Sequence, residues 1–150
     1  MNQNPQTIVK ILSESRVIAV VGLSPKSDRP SHEVAAYLQR HGYRIIPVNP
    51  ATAGTHILGE HCYATLTLAA AALNEQQTRI DLVDIFRKSE LVAPIIDEAI
   101  AIKVRAVWLQ IGVINEAATD KARAAGLDVV ADRCTKIDHA IWRAQQDQRG

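Results

Sequence analysis

The chain is poor in cysteine, in net charge and in long apolar runs. Its two cysteines, Cys62 and Cys134, form no CxxC pair. A disulfide framework and a thiol redox motif are thereby excluded, and two reduced thiols in a cytoplasmic protein are expected. The net charge is +1, which supplies no general attraction to nucleic acid or to a membrane surface. No apolar stretch reaches the ~20 residues of a membrane span, and residues 1–16 lack the apolar segment of a secretory signal. There is no G-x-x-x-x-G-K-[ST], which removes a P-loop nucleoside triphosphatase. Internal repeats, low-complexity tracts and linkers are missing too, so residues 1–150 are read as one domain.

What is present is organised around Arg16–Asn49, which reads as strand, loop, helix, strand. Val17–Val21 is a short apolar run suited to a buried strand, and Gly22 ends it. Ser31 is placed to cap a helix carrying Val34, Ala35, Tyr37 and Leu38, which Gly42 stops. Arg44–Val48 is the next strand. Such a unit is the parallel crossover of an α/β sheet, whose ligands bind beyond the carboxyl ends of the strands.

The rest of the chain repeats the alternation. Asn4–Glu14 is an opening helix, and the segment after Asn49-Pro50 is a loop without period. Leu66–Leu73 is a short helix, Asn74–Thr78 a polar turn and Ile80–Phe86 a third strand. Ser89–Ile102 is helical, with the regular part starting near Pro94. Val104–Ile111 is a fourth strand, Asn115–Ala125 a capped helix, Leu127–Ala131 a fifth strand and Asp138–Gln146 a last helical turn or two. Five strands alternating with helices predict a doubly wound α/β domain with a mainly parallel, five-stranded sheet.

The segments beyond the predicted strands carry Lys26, Asp28, Arg29, Arg87, Lys88, Asp132, Arg133 and Lys136. Their balance is basic in a nearly neutral protein. Singly, each is an ordinary solvated loop charge; as a set they suit a phosphate-bearing ligand on a glycine turn before a helix. A dinucleotide fingerprint G-x-G-x-x-G would fall on Gly22, Ser24 and Ser27, so two glycines are missing. Asn49-Pro50 stands where an acid would hold a nicotinamide ribose. Both departures argue against NAD.

The segments GLSPKSDRPS (22–31), VNP (48–50), VDIFR (83–87), WLQIG (108–112) and DRC (132–134) together resemble the small bacterial and archaeal CoA-binding proteins. That family is similar to the N-terminal domain of the succinyl-CoA synthetase α subunit. The resemblance spans roughly residues 7 to 142. It implies a single-domain, Rossmann-like three-layer α/β/α sandwich with coenzyme A or an acyl-CoA at the carboxyl edge. Carried over, Gly22, Leu23 and Ser24 would line the first turn, and Lys26 and Arg29 would face the phosphates. Val48, Asn49 and Pro50 would form a second wall, and Phe86 and Arg87 a third, with Gly112 beside them. The chain departs from the family at Asp138, where glutamate is common, and in the loop after Pro50.

No self-contained catalytic set is read from the sequence. Cys134 with Asp138 and His139 is better taken as a core thiol beside a helix-end histidine. The spacing of His56, His61 and Cys62 fits no tight zinc pattern. Asp81 and Asp84, three apart in a strand, would point to opposite faces, and at least one is expected to make structural hydrogen bonds. Trp108 and Trp142 are expected in the core. The expected function is a CoA-binding module without catalytic residues or metal. The alternatives are an NAD(P)-dependent oxidoreductase and a partner-binding protein that keeps the fold. A homo-oligomer or an unknown protein partner stays open.

Overall fold

The computed structural model describes residues 4–149. In chain order its elements are α1 (Pro5–Glu14), β1 (Val17–Val21), α2 (Pro30–Arg40), β2 (Arg44–Val48), the two-residue strands β3 (His56–Ile57) and β4 (Glu60–His61), α3 (Leu66–Glu75), β5 (Leu82–Ile85), α4 (Val92–Ala101), β6 (Ala106–Leu109), α5 (Glu116–Ala124), β7 (Asp128–Val130) and α6 (Thr135–Arg149). The main sheet has the order β2-β1-β5-β6-β7, and all four pairings are parallel. From β1 the chain steps first to one side, into β2, and then to the other, into β5. The junction of β1 and β5 is therefore the topological switch point of a doubly wound sheet.

Each inner strand is buried on both faces, which is why it reads as an unbroken apolar run. Ala19, Val21, Ile46, Val48, Val83, Ile85 and Leu109 pack with residues of α3, α4 and α5. Ile18, Val20, Ile45, Leu82, Trp108 and Val130 pack with those of α1, α2 and α6. The result is the three-layer sandwich expected. Pro47 sits in β2, an edge strand, where a missing N–H is tolerated.

Several expectations are corrected. Helix α2 begins at Pro30, one residue before Ser31, and Arg29 holds the cap position with no side-chain bond. Proline supplies the first-turn φ and has no N–H to satisfy. Ser31 Oγ is used elsewhere: it accepts from the Ser24 N–H at 3.0 Å. The stretch after Pro50 is more ordered than a plain loop. It holds a 3-10 turn at Pro50–Thr52 and the antiparallel pair β3/β4, joined through Leu58 and Gly59, both at positive φ. Helix α3 runs on to Glu75, into the predicted turn. Helix α6 is 15 residues long and starts at Thr135, one turn before Asp138. The third to fifth predicted strands are each shorter than expected. Pro94 lies in the first turn of α4, which starts at Val92.

Asp81 falls just outside β5. Its Oδ2 accepts the backbone N–H groups of Arg16 and Val17, both at 2.9 Å, and so fixes the start of β1. Asp84 lies inside β5 and is 0% exposed. Gln110 Nε2 donates to its Oδ1 at 2.7 Å and the Thr135 hydroxyl to its Oδ2 at 2.9 Å. Gln110 Nε2 also reaches Thr135 Oγ1 at 3.0 Å, which closes a buried triangle joining β5, the end of β6 and the start of α6. Burial raises the Asp84 pKa from 3.8 to about 7, against the lowering effect of its two donors.

Between those two pKa values the native state keeps a proton that the unfolded chain has lost. Asp84 therefore makes stability fall as pH rises from about 4 to about 7, with no further loss above that range. Asp84→Asn removes the titration and preserves the shape. Urea melts at several pH values should show a flatter profile for this variant than for the parent, and a smaller deficit above pH 7. Parallel profiles would contradict the assignment.

Candidate functional site

The sheet register sets the site. Val21 lies opposite Val48 and Ile85, so the next residues, Gly22, Asn49 and Phe86, emerge side by side at the switch point. Gly22 N–H donates to Val48 O at 2.8 Å, and Phe86 N–H donates to Val21 O at 2.8 Å. Gly22 turns at φ +88°, and a Cβ there would lie 2.5 Å from the Phe86 carbonyl oxygen and 3.0 Å from Arg87 Cδ. Both the torsion and the space require glycine.

The loop beyond Gly22 is held from several directions. Leu23 is 0% exposed and packs into the α1/α2/α6 core, an anchor of about 1.5–3 kcal/mol. Its carbonyl accepts from Asn49 Nδ2 at 3.1 Å, while Asn49 Oδ1 accepts from Ala51 N–H at 3.0 Å. Ser24 Oγ accepts from Lys26 N–H at 3.1 Å. These bonds leave Lys26 and Arg29 exposed at the loop's outer end, with no ion pair among the described residues.

Beside the loop, on the α3/α4 face, a cleft of about 210 Å³ opens. The predicted residues Val48, Pro50 and Arg87 line it, together with Thr65, Leu91 and Glu98, which the sequence pattern does not single out. Thr65 caps α3 through Leu68 N–H at 3.1 Å. Glu98 reaches across from α4 and accepts from Thr67 N–H at 3.0 Å and from Thr67 Oγ1 at 2.7 Å. The first turn of α3 is thus already satisfied by a carboxylate. Arg87 is half-buried and forms no ion pair among the described residues. The sequence carried a weak signal only for Thr65, a threonine before an alanine-rich helix.

Not every predicted residue lines the cleft. Phe86 offers its backbone to Gly22, while its side chain packs on the opposite face. Gly112 lies at the end of β6; its N–H is taken by Asp132 Oδ1 at 2.7 Å and its carbonyl by Ser89 Oγ at 3.4 Å. Leu23 and Asn49 serve the scaffold. Of the basic set, Arg133 is paired with Asp138 at 2.7 and 2.8 Å, and Lys136 sits 5.7 Å from the Tyr37 ring centroid. Lys26, Arg29, Arg87 and Lys88 remain without acidic partners among the described residues.

The other candidate groups have local partners. Asp138 is engaged by Arg133, and His139 Nδ1 lies 2.9 Å from the Tyr37 hydroxyl, so no triad forms with Cys134. His56 and His61 face each other across β3/β4 at 5.8 Å between ring centroids. Trp108 is buried and donates to Arg133 O at 2.8 Å. Among the described residues no helix is long and apolar enough to cross a membrane.

The topology defines a Rossmann-like α/β protein, a class in which ligands bind at the switch point. Within that class, the chain belongs to the CoA-binding domain family, whose model matches residues 16–140. It is 38% identical over 143 residues to YneT of Bacillus subtilis (strain 168), covering 94% of this chain and 99% of that one. Among solved structures it resembles a protein of Pyrococcus horikoshii OT3, at 34% identity and a TM-score of 0.81, covering 93% of this chain and 92% of that one. It likewise resembles a Thermus thermophilus protein, at 33% identity and a TM-score of 0.81, covering 92% and 98%.

The close approach at Gly22 makes a direct comparison available. Gly42 has φ +99°, and a Cβ there would meet nothing within 4 Å, so Gly42→Ala should lose about 1 kcal/mol from backbone strain alone. Gly22→Ala adds the clash with Phe86 O and should lose clearly more, as read from the midpoint of denaturant unfolding. Equal losses would show that the β1 turn can relax.

Proposed function

We propose that this protein binds coenzyme A or an acyl-CoA as a stand-alone module, with the nucleotide half across the Gly22–Arg29 loop. The observation that carries the reading is the glycine turn at the switch point, pressed on the Phe86 carbonyl, in a chain matched by the CoA-binding domain family. Lys26 and Arg29 would meet the phosphates, and Ser24 would allow the pyrophosphate to come near the loop. Val48 and Pro50 would wall the apolar cleft beside it, which suits the pantetheine arm. Arg87, half-buried at the cleft, would supply a charge-assisted hydrogen bond to an anionic or carbonyl oxygen. The proposal assigns binding and no turnover, and a cytoplasmic setting agrees with it.

A nicotinamide dinucleotide is disfavoured. The residue after β2 is Asn49, and both ends of its amide are engaged, by Leu23 O and Ala51 N–H. It has no carboxylate to offer a ribose.

Isothermal titration against CoA, dephospho-CoA, NAD and NADP tests the reading. CoA should bind and the nicotinamide dinucleotides should not. Folded protein that takes up no CoA at millimolar concentration would end the proposal. If Arg29 reads the 3′-phosphate, Arg29→Ala should weaken CoA by about 1 kcal/mol and leave dephospho-CoA nearly unchanged. Equal losses for the two ligands would reassign Arg29. Ser24→Leu should weaken both, because the larger side chain blocks the loop.

A further inference from the structure

At the amino edge of the sheet, opposite the crevice, a second cavity of about 270 Å³ lies between the end of α1, the turn into β2 and α6. Its walls include Arg16, His41, Tyr43, His139, Trp142 and Arg143, and none of its lining residues is acidic. The polar groups here are almost all donors. Most are already used: Arg16 Nη1 donates to Ser13 O and Ser15 O at 3.1 and 3.2 Å, Tyr43 OH to Leu12 O at 2.5 Å, and His41 Nδ1 meets Tyr37 O at 2.8 Å.

Two of the remaining donors bear on what the cavity could hold. Trp142 Nε1 is buried and has no hydrogen-bond partner. Arg143, also on the cavity wall, forms no hydrogen bond or ion pair among the described residues. An indole N–H can only donate, and a buried donor without an acceptor costs stability. The surroundings are also electropositive. Burial, then His41 and the Arg143 guanidinium, push the His139 pKa down. The remaining wall is aromatic: His139 packs edge-on against Trp142 at 5.5 Å and against Tyr43 at 5.6 Å between centroids.

We propose that this cavity is a second ligand site, separate from the CoA crevice, for a small aromatic carboxylate. The carboxylate would accept from Arg143 and, after a small shift of the Trp142 ring, from its Nε1–H, which is closed off without a ligand, and the ring would lie against Tyr43 and Trp142. The volume is just under the usual range for ligand pockets, about 300–1,000 Å³, which rules out a cofactor as large as CoA. Since the argument uses no residue of the carboxyl edge, it stands whether or not CoA binds there.

The test uses the full chain with benzoate, its neutral isostere benzamide and inorganic phosphate, followed by calorimetry and by tryptophan fluorescence. Benzoate should bind saturably and change the emission of Trp142, with benzamide at least about tenfold weaker, the loss of one charge-assisted contact. Arg143 is exposed, so Arg143→Gln should fold normally and weaken benzoate by about tenfold. Trp142→Phe, read by calorimetry, should also weaken it. The proposal falls if benzoate gives no saturable heat up to about 10 mM, a limit already far weaker than a built site shows. It falls equally if benzamide or phosphate binds as well as benzoate, or if Arg143→Gln binds benzoate like the parent.

Discussion

The approach of the chain at Gly22 to the carbonyl of Phe86 is the constraint on which the carboxyl edge depends. β1 and β5 are parallel and end at the same level, so the chain leaving β1 must pass directly over the end of β5. A side chain at that point would occupy the space of the Phe86 oxygen. With glycine there, the ladder can run to its last rung and the loop still turn away at once. Leu23 then drops into the core, Ser31 takes the Ser24 N–H and Asn49 takes the Leu23 carbonyl. The loop is held in place by the protein alone, and a preformed loop spares a ligand the cost of ordering it.

The two faces of the sheet are stabilised differently. On the α3/α4/α5 face the buried residues are almost wholly apolar. On the other face α6 buries Thr135, Asp138 and His139, and each has a specific partner: Asp84, Arg133 and Tyr37. Helix α6 is thus located by polar pairing more than by an apolar stripe. Its large apolar residues, Ile137 and Ile141, stay half-exposed. Such pairing fixes position closely, because a shift of one residue would leave several buried groups unpaired at once.

This difference explains what could be read from the sequence. β1 and β2 were legible to the residue because strands buried on both faces give continuous apolar runs between polar or glycine boundaries. Asn115 was legible as a cap because an Asx side chain before a helix satisfies a first-turn N–H; Asn4, read as part of the first helix, is a cap of the same kind. Helix α6 was cut short because its buried positions are polar, so no apolar period marks them. β3 and β4 were missed because two-residue strands have no period, and Leu58-Gly59 is not one of the usual hairpin dipeptides. Of the candidate site, Gly22 and Arg87 were singled out at strand ends, and Val48 and Pro50 through the family resemblance. Glu98 was not, because its meeting with Thr67 spans 31 residues of sequence and follows only from how α4 packs on α3.

Asn49 shows how a change in one side chain redirects recognition. At the end of the second strand a carboxylate would be a ligand-facing acceptor, since it has no protons to give to the backbone around it. An amide has both a donor and an acceptor, and here each is used, one on Leu23 O and the other on Ala51 N–H. The position therefore ties the first loop to the second and has no carboxylate for a ribose. On the proposed reading, recognition rests on other groups of this edge. Those are the cations Lys26, Arg29 and Arg87 and the apolar wall of Val48 and Pro50. Cations beside an apolar slot match a ligand that carries phosphates at one end and a long, weakly polar arm at the other.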